Sequence, residues 1–146
     1  MRHSVLAKLV VKHHMTAHRI HLIGGEDEEL AEFVENEHDD LCALICRYRG
    51  KEIEAQAEDF FEALCEVRLK LEVEGLIPFC YGASLNVYPS AMSRQMSLGK
   101  AAYRMTLGKQ ALRSDMVQLF AEGPDVIPAP VARQREFFQS WLQSLQ

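Results

Sequence analysis

The sequence lacks the motifs by which common enzyme classes are recognised. It contains no phosphate-binding motif of the GxxxxGKS, GxxxxGKT or GxGxxG type, no GxSxG nucleophile turn and no HExxH zinc motif. Its six histidines all precede residue 39, whereas Ser84, Ser90, Ser93 and Ser97 come much later. We therefore assign no catalytic residue and no cofactor, and we expect a function other than catalysis.

The sequence also lacks a long apolar run. None approaches the ~20 residues that a membrane-spanning helix needs. Residues 1–11 join a basic residue to an apolar stretch, but Lys8 interrupts it and no small-residue cleavage site follows, so we interpret this segment as a strand rather than a signal peptide. The four cysteines lie among apolar neighbours, as reduced core cysteines do. These features predict a cytoplasmic protein without a membrane partner.

Length and composition, with 48% hydrophobic and 25% charged residues, fit one globular domain over residues 1–146. Period-two alternation or a short apolar run predicts strands at residues 4–14, 19–23, 41–47, 52–57, 76–81, 101–107 and 116–120, of which the last could be helical. Helical spacing predicts helices at residues 58–74, 90–98 and 130–145 and a short one around residues 30–34. We predict an α+β fold: an antiparallel-rich sheet of about five or six strands, with the helices at 58–74 and 130–145 packed on it. The aromatic residues Phe137, Phe138 and Trp141 are expected in the core, whereas an exposed aromatic face would suggest a dimer.

Two groups of residues have the spacing of metal ligands on a helix. His38, Cys42 and Cys46 follow one another at i, i+4 and i+8, and a similar spacing joins His14, His18 and His21. Both segments are better interpreted as strand or turn, where such a spacing does not bring the side chains together. We expect core cysteines and surface histidines, and no metal.

Charge is unevenly distributed along the chain, whose net charge is −5. Residues 26–40 include nine acidic residues and no lysine or arginine, whereas residues 89–113 include five basic residues and no acidic one. Either segment could be an ordinary solvated surface, or it could meet a partner of opposite charge, since complementary potentials steer association. The acidic segment would suit a basic partner such as a nuclease. Overall acidity argues against nucleic-acid binding by this chain.

The segment at residues 86–96 collects polar groups in a loop. Asn86, Tyr88, Ser90, Ser93 and Arg94 could hydrogen-bond a partner, and a tyrosine and an arginine beside methionines are typical of an interaction hot spot. The same residues could instead shape the loop, with Ser90 capping the following helix. The two interpretations are compatible.

Four segments follow the predicted hairpin in order: DFFEALCEVRLKLEVEGLIPFCYGAS, NVYPSAMSRQMSLGKAAYRMTLGKQA, DMVQLF and VARQREFFQSWL. Together they resemble a family of small bacterial proteins, mostly uncharacterised, some of which look like immunity proteins encoded beside polymorphic or contact-dependent toxins. The resemblance covers about residues 42–145, and NVYPSxMSRxM is its most specific part. It implies a protein that binds a toxin domain and blocks its action, and it implies no active-site residue.

The leading prediction is therefore a cytoplasmic immunity-type protein that neutralises a toxin domain by occlusion. The expected contact surface is the acidic segment with Glu26, Asp27, Glu28 and Glu29, or the loop from Asn86 to Arg94. One alternative is a small-molecule-binding protein or enzyme with a pocket near Tyr81, Tyr88 and Arg94. Another is a homo-oligomeric structural subunit.

Overall fold

The computed structural model describes residues 15–146, so the strand predicted at residues 4–14, with His14, lies outside the described range. Four strands follow one another as an antiparallel meander: β1 (Met15–Ile23), β2 (Glu29–His38), β3 (Leu41–Tyr48) and β4 (Lys51–Ala57). A short edge strand, β5 (Ile77–Pro78), pairs antiparallel with β1, which gives the sheet order β4-β3-β2-β1-β5. The predicted hairpin at residues 41–57 is confirmed.

The helix α1 (Phe60–Val73) covers one face of this sheet. The Asp59 carboxylate caps it by accepting a hydrogen bond of 2.8 Å from the Glu62 backbone nitrogen. The predicted apolar stripe is fully buried against β3 and β4 and consists of Phe60, Leu64, Val67 and Leu71. Burying one large apolar side chain stabilises a fold by about 1.5–3 kcal/mol, so the contact between α1 and the sheet is the main stabilising layer.

A smaller antiparallel sheet holds the second half of the chain. It contains β6 (Val87–Tyr88), β7 (Ala101–Arg104) and β8 (Met116–Gln118), and it is accompanied by the short helix α2 (Ala91–Met96) and the C-terminal helix α3 (Val131–Ser144). The predicted α+β class is confirmed, with the strands divided between two sheets. The helix α3 contacts β6 and α1, rather than lying across the five-stranded sheet.

The prediction of a short helix around residues 30–34 was wrong, because this segment is part of β2. Ala31, Phe33 and Glu35 alternate toward the inner face, and β2 hydrogen-bonds to β1 on one side and β3 on the other. Leu30 and Val34 point to the opposite face, so their helical spacing was coincidental. Three predicted strands are shorter than expected: residues 76–81 supply β5 and the start of a 3-10 turn, residues 101–107 supply β7, and residues 116–120 supply β8.

The helix α1 is joined to α3 by a buried arginine. Arg68 is 1% exposed, and its guanidinium donates hydrogen bonds to Gln134 Oε1 at 2.6 Å, the Gly82 carbonyl at 3.0 Å and the Ala129 carbonyl at 2.9 Å. Nearby, Glu72 Oε2 accepts a hydrogen bond of 2.8 Å from the first backbone nitrogen of α3, at Val131. These contacts fix the start of α3 against α1.

A buried carboxylate joins the two sheets. Glu35 on β2 is 5% exposed and accepts hydrogen bonds from His18 Nε2 at 2.7 Å and from Lys100 Nζ at 3.2 Å. Lys100 precedes β7, and its carbonyl oxygen accepts a hydrogen bond from the Leu119 nitrogen. Burial alone would raise the pKa of Glu35, but the bonds from His18 and Lys100 outweigh it and hold the pKa below its ordinary value of 4.5.

We expect replacement of Glu35 by glutamine to lower the free energy of unfolding by about 2 kcal/mol at neutral pH, since charge-assisted hydrogen bonds to the carboxylate are lost. A carboxylate with a lowered pKa in the folded state stabilises the protein above its unfolded pKa, and this contribution is lost as the pH falls through the folded value. The difference in the free energy of unfolding between wild type and E35Q should therefore become smaller below pH 4.5. Urea unfolding at several pH values measures it, and a difference that is independent of pH would contradict the role given to Glu35.

Among residues 15–146, no helix combines the length and the apolar content that crossing a bilayer requires.

Candidate functional site

The polar groups of the predicted loop mostly bond within the loop itself. Ser84 Oγ donates to Asn86 Oδ1 at 3.1 Å, and Ser90 Oγ accepts a bond of 3.0 Å from the Ser93 backbone nitrogen, which caps α2. The Ser93 hydroxyl donates in turn to the Ser90 carbonyl at 3.0 Å. Asn86, Ser90 and Ser93 therefore shape the loop, as the structural interpretation expected.

Arg94 attaches this loop to α1. Its Nη1 donates to Asp59 Oδ2 at 3.0 Å, on the same carboxylate that caps α1. The guanidinium carbon also lies 5.1 Å from the centre of the Phe61 ring and 5.8 Å from the centre of the Tyr88 ring, within cation–π distance of both. These contacts tie Arg94 to α1 and to Tyr88, and its side chain remains 28% exposed.

Tyr88 forms one wall of an open apolar groove of about 490 Å³, which we call the aromatic groove. Its ring stacks on Phe138 of α3, with centroids 4.0 Å apart and an interplanar angle of 11°. Trp141 follows Phe138 along the helix, and its Nε1 donates to the Lys109 carbonyl at 2.9 Å. The main apolar side chains of the groove are Tyr88, Met92, Tyr103, Leu112, Phe138 and Trp141.

The expectation that Phe137, Phe138 and Trp141 belong to the core was wrong, because all three are only half-buried. Of the residues of α3, only Val131 and Gln134, at its N-terminal end, are fully buried. The rest of the helix runs along the surface beside residues 105–113, where the Ser144 hydroxyl accepts a bond of 2.8 Å from the Gly108 nitrogen. Phe138 and Trp141 therefore line the groove, whereas Phe137 does not.

The basic segment separates into paired and unpaired cations. Arg94 pairs with Asp59, Lys100 with Glu35, and Arg104 with Asp125 at 2.6 Å. Lys109 and Arg113 are exposed, and within residues 15–146 no carboxylate lies within ion-pair distance of either. Arg113 lines the aromatic groove and Lys109 adjoins it through Trp141, while no aspartate or glutamate lines it. Arg113 is therefore the one charged residue among the described residues that line the groove.

The acidic segment is also divided. Glu26, Asp27 and Glu28 are exposed in the turn between β1 and β2, next to a depression that includes Glu122. Glu29, at the start of β2, is instead bound by Arg49 through two bonds, of 2.6 Å from Nη2 and 2.9 Å from Nε. Three of the four predicted acidic contact residues are thus available at the surface.

Arg94 and Tyr88 of the predicted small-molecule pocket are neighbours, but they line different depressions. Tyr88 lines the aromatic groove, whereas Arg94 lines a separate depression beside Asp59 and Glu62. Tyr81 is buried, and its hydroxyl donates to Asp125 Oδ1 at 2.5 Å. None of the surface depressions described within residues 15–146 is lined by all three.

The cysteines are buried thiols, as the sequence indicated. Burial raises the pKa of Cys42, Cys65 and Cys80 to about 11 and that of Cys46 to about 12, so each remains protonated at neutral pH. Of the histidines within residues 15–146, His18 and His21 do not form a cluster, since alternation along β1 places them on opposite faces of the sheet. In the part of the chain that the structure describes, no three His, Cys, Asp or Glu side chains are arranged to hold a metal ion.

Sequence reasoning identified one wall of the aromatic groove and missed the rest. Tyr88, Ser90 and Met92 were within the predicted loop, but Tyr103, Leu112 and Trp141 were not expected to join it. The available signal was the combination of three aromatic residues in the last helix with an acid-free segment ahead of it. The chain matches no protein-family model and no curated protein sequence.

Proposed function

We propose that this protein is an immunity-type binding module that neutralises a toxin domain by holding it and covering its functional surface. The aromatic groove is the observation that carries this proposal. It exposes aromatic and methionine side chains beside unpaired cations, the composition of an interaction hot spot. Ser90 and Ser93 are bonded within their own loop and Arg94 is bonded to Asp59, so the groove offers mainly apolar side chains for contact.

A rigid frame supports the same proposal. Binding is tightest when the contact surface is already ordered, because less conformational entropy is then lost on association. The loop of Tyr88 is fixed to α1 through Arg94 and Asp59, and the start of α3 is fixed through Arg68 and Gln134. The turn with Glu26, Asp27 and Glu28 offers a second contact surface, suited to a basic region of the partner.

Growth rescue tests the proposal. We expect a toxin domain encoded beside this gene to arrest growth when it is expressed alone, and co-expression of this chain to restore growth. The purified pair should form a 1:1 complex by isothermal titration calorimetry. A triple variant, E26Q/D27Q/E28Q, then shows whether the acidic turn contributes. The proposal is wrong if no neighbouring gene encodes a toxic domain, or if the stably expressed chain fails to rescue.

A homodimer is the second candidate, and the half-buried aromatic face of α3 favours it. Sedimentation velocity separates the two candidates. A dimer that persists at nanomolar concentration and dissociates when Trp141 is replaced by glutamate would favour the homodimer, whereas a monomer would favour a groove that is open to another protein.

A further inference from the structure

One side of the aromatic groove is formed by regularly spaced apolar side chains of α3. Phe138, Trp141 and Leu145 of its wall and floor are spaced i, i+3 and i+7, which covers about two helical turns, or roughly 10 Å. The groove is also lined by Met92, which is 69% exposed, and Leu112, which is 64% exposed, from outside α3. An amphipathic helix laid between such walls would insert residues at i, i+3 or i+4, and i+7.

The charge around the groove selects among possible occupants. Arg113 lines it, Lys109 adjoins it, and neither has a carboxylate within ion-pair distance among the described residues. A symmetric dimer through the groove would place the same patch of both copies together and bring these cations close to one another. A segment with acidic flanks would instead complement them.

We propose that the aromatic groove holds an amphipathic helix of the partner, with an apolar stripe inside and acidic residues facing Lys109 and Arg113. This inference rests on the proposed binding function and names the kind of segment that the partner presents. Trp141 lies in the contact and reports on it directly, because the sequence contains only one tryptophan.

Synthetic peptides test the inference on the full chain. One peptide of about 14 residues carries leucines at i, i+4 and i+7 with glutamate flanks, and a second has the same leucines with lysine flanks. We expect the acidic peptide to bind, with a shift in Trp141 emission, and to bind at least ~10-fold more tightly than the basic peptide at low salt. Equal binding of both, or no binding of the acidic peptide, would overturn the inference.

Two methionines on α2 provide a matched pair of variants. Met92 lines the groove, whereas Met96, which is 80% exposed on the same helix, does not. M92E should weaken binding of the acidic peptide by ~10-fold or more, and M96E should leave it unchanged. The double variant K109E/R113E should reverse the preference toward the basic peptide, a result that a merely structural role of these residues would not produce. Thermal unfolding confirms that each variant is folded.

The growth assay separates this inference from the proposed function. If the wild type rescues and M92E rescues equally well, the groove is not the docking site although the proposed function holds. If the wild type does not rescue, the proposed function fails whatever the peptides do. If sedimentation shows a wild-type dimer that M92E dissociates, the occupant is a second copy and the inference is wrong.

Discussion

Replacing Arg68 by alanine is expected to lower the free energy of unfolding by about 3–5 kcal/mol, because a buried hydrogen-bonded charge is removed and a large cavity remains. Arg68 donates to the carbonyls of Gly82 and Ala129 and to the side chain of Gln134, so its loss leaves buried acceptors with fewer partners. Burial also lowers the pKa of the guanidinium, which shows how dry its surroundings are. Urea unfolding of the purified variant measures the effect.

The control for Arg68 lies two residues further along the same helix. Lys70 is exposed, so K70A should change the free energy of unfolding by no more than about 0.5 kcal/mol. Combining R68A with Q134A in a double-mutant cycle should show strong coupling, because the two side chains are directly bonded. Additive effects, or a small effect of R68A alone, would show that the arginine is not the link between α1 and α3.

Replacing Gly24 by alanine should be the second large perturbation, lowering the free energy of unfolding by about 3 kcal/mol through backbone strain and overpacking together. Gly24 has a φ of +112°, a conformation that side chains disfavour. A Cβ at this position would lie 2.1 Å from the Gly75 carbonyl oxygen, at the end of α1, so the backbone would have to move. The turn that carries Glu26, Asp27 and Glu28 would move with it.

Gly50 separates the two components of this effect. Its φ is +71°, but a Cβ there would meet nothing within 4 Å. G50A should therefore show the conformational cost alone, about 1–2 kcal/mol. If G24A were no more destabilising than G50A in the same unfolding assay, the close approach of the β1–β2 turn to the end of α1 would not matter to stability.

The elements predicted best are those whose local pattern and tertiary environment agree. The stripe Phe60, Leu64, Val67 and Leu71 has one helical face to bury. The hairpin at residues 41–57 joins a compact apolar run to a strictly alternating strand through a turn. The prediction for residues 29–38 was wrong because the acidic residues of this segment conceal its alternation. Glu35 has the sequence character of a surface residue, yet it is buried between His18 and Lys100. Such pairing joins residues distant in the chain, and a single sequence does not reveal it.

The candidate site was only partly predictable for a related reason. The loop from Asn86 to Arg94 was recognisable by its composition, but the groove exists only because the end of α3 runs beside residues 105–113. An amphipathic helix with three aromatic residues normally buries them, so the sequence favoured a core position for Trp141. Whether an apolar face is covered depends on the arrangement of whole elements.

Gln134 links the core to the surface. Its amide nitrogen lies 2.9–3.0 Å from the carbonyl oxygens of Gly82, Ser84 and Val87, while its amide oxygen accepts from Arg68. The helix that carries Trp141 and the strand that carries Tyr88 therefore share one buried anchor, and neither wall can shift without breaking it. A partner helix would therefore meet a groove whose walls are already in place. We expect substitutions of Gln134 to raise the dissociation rate of such a helix.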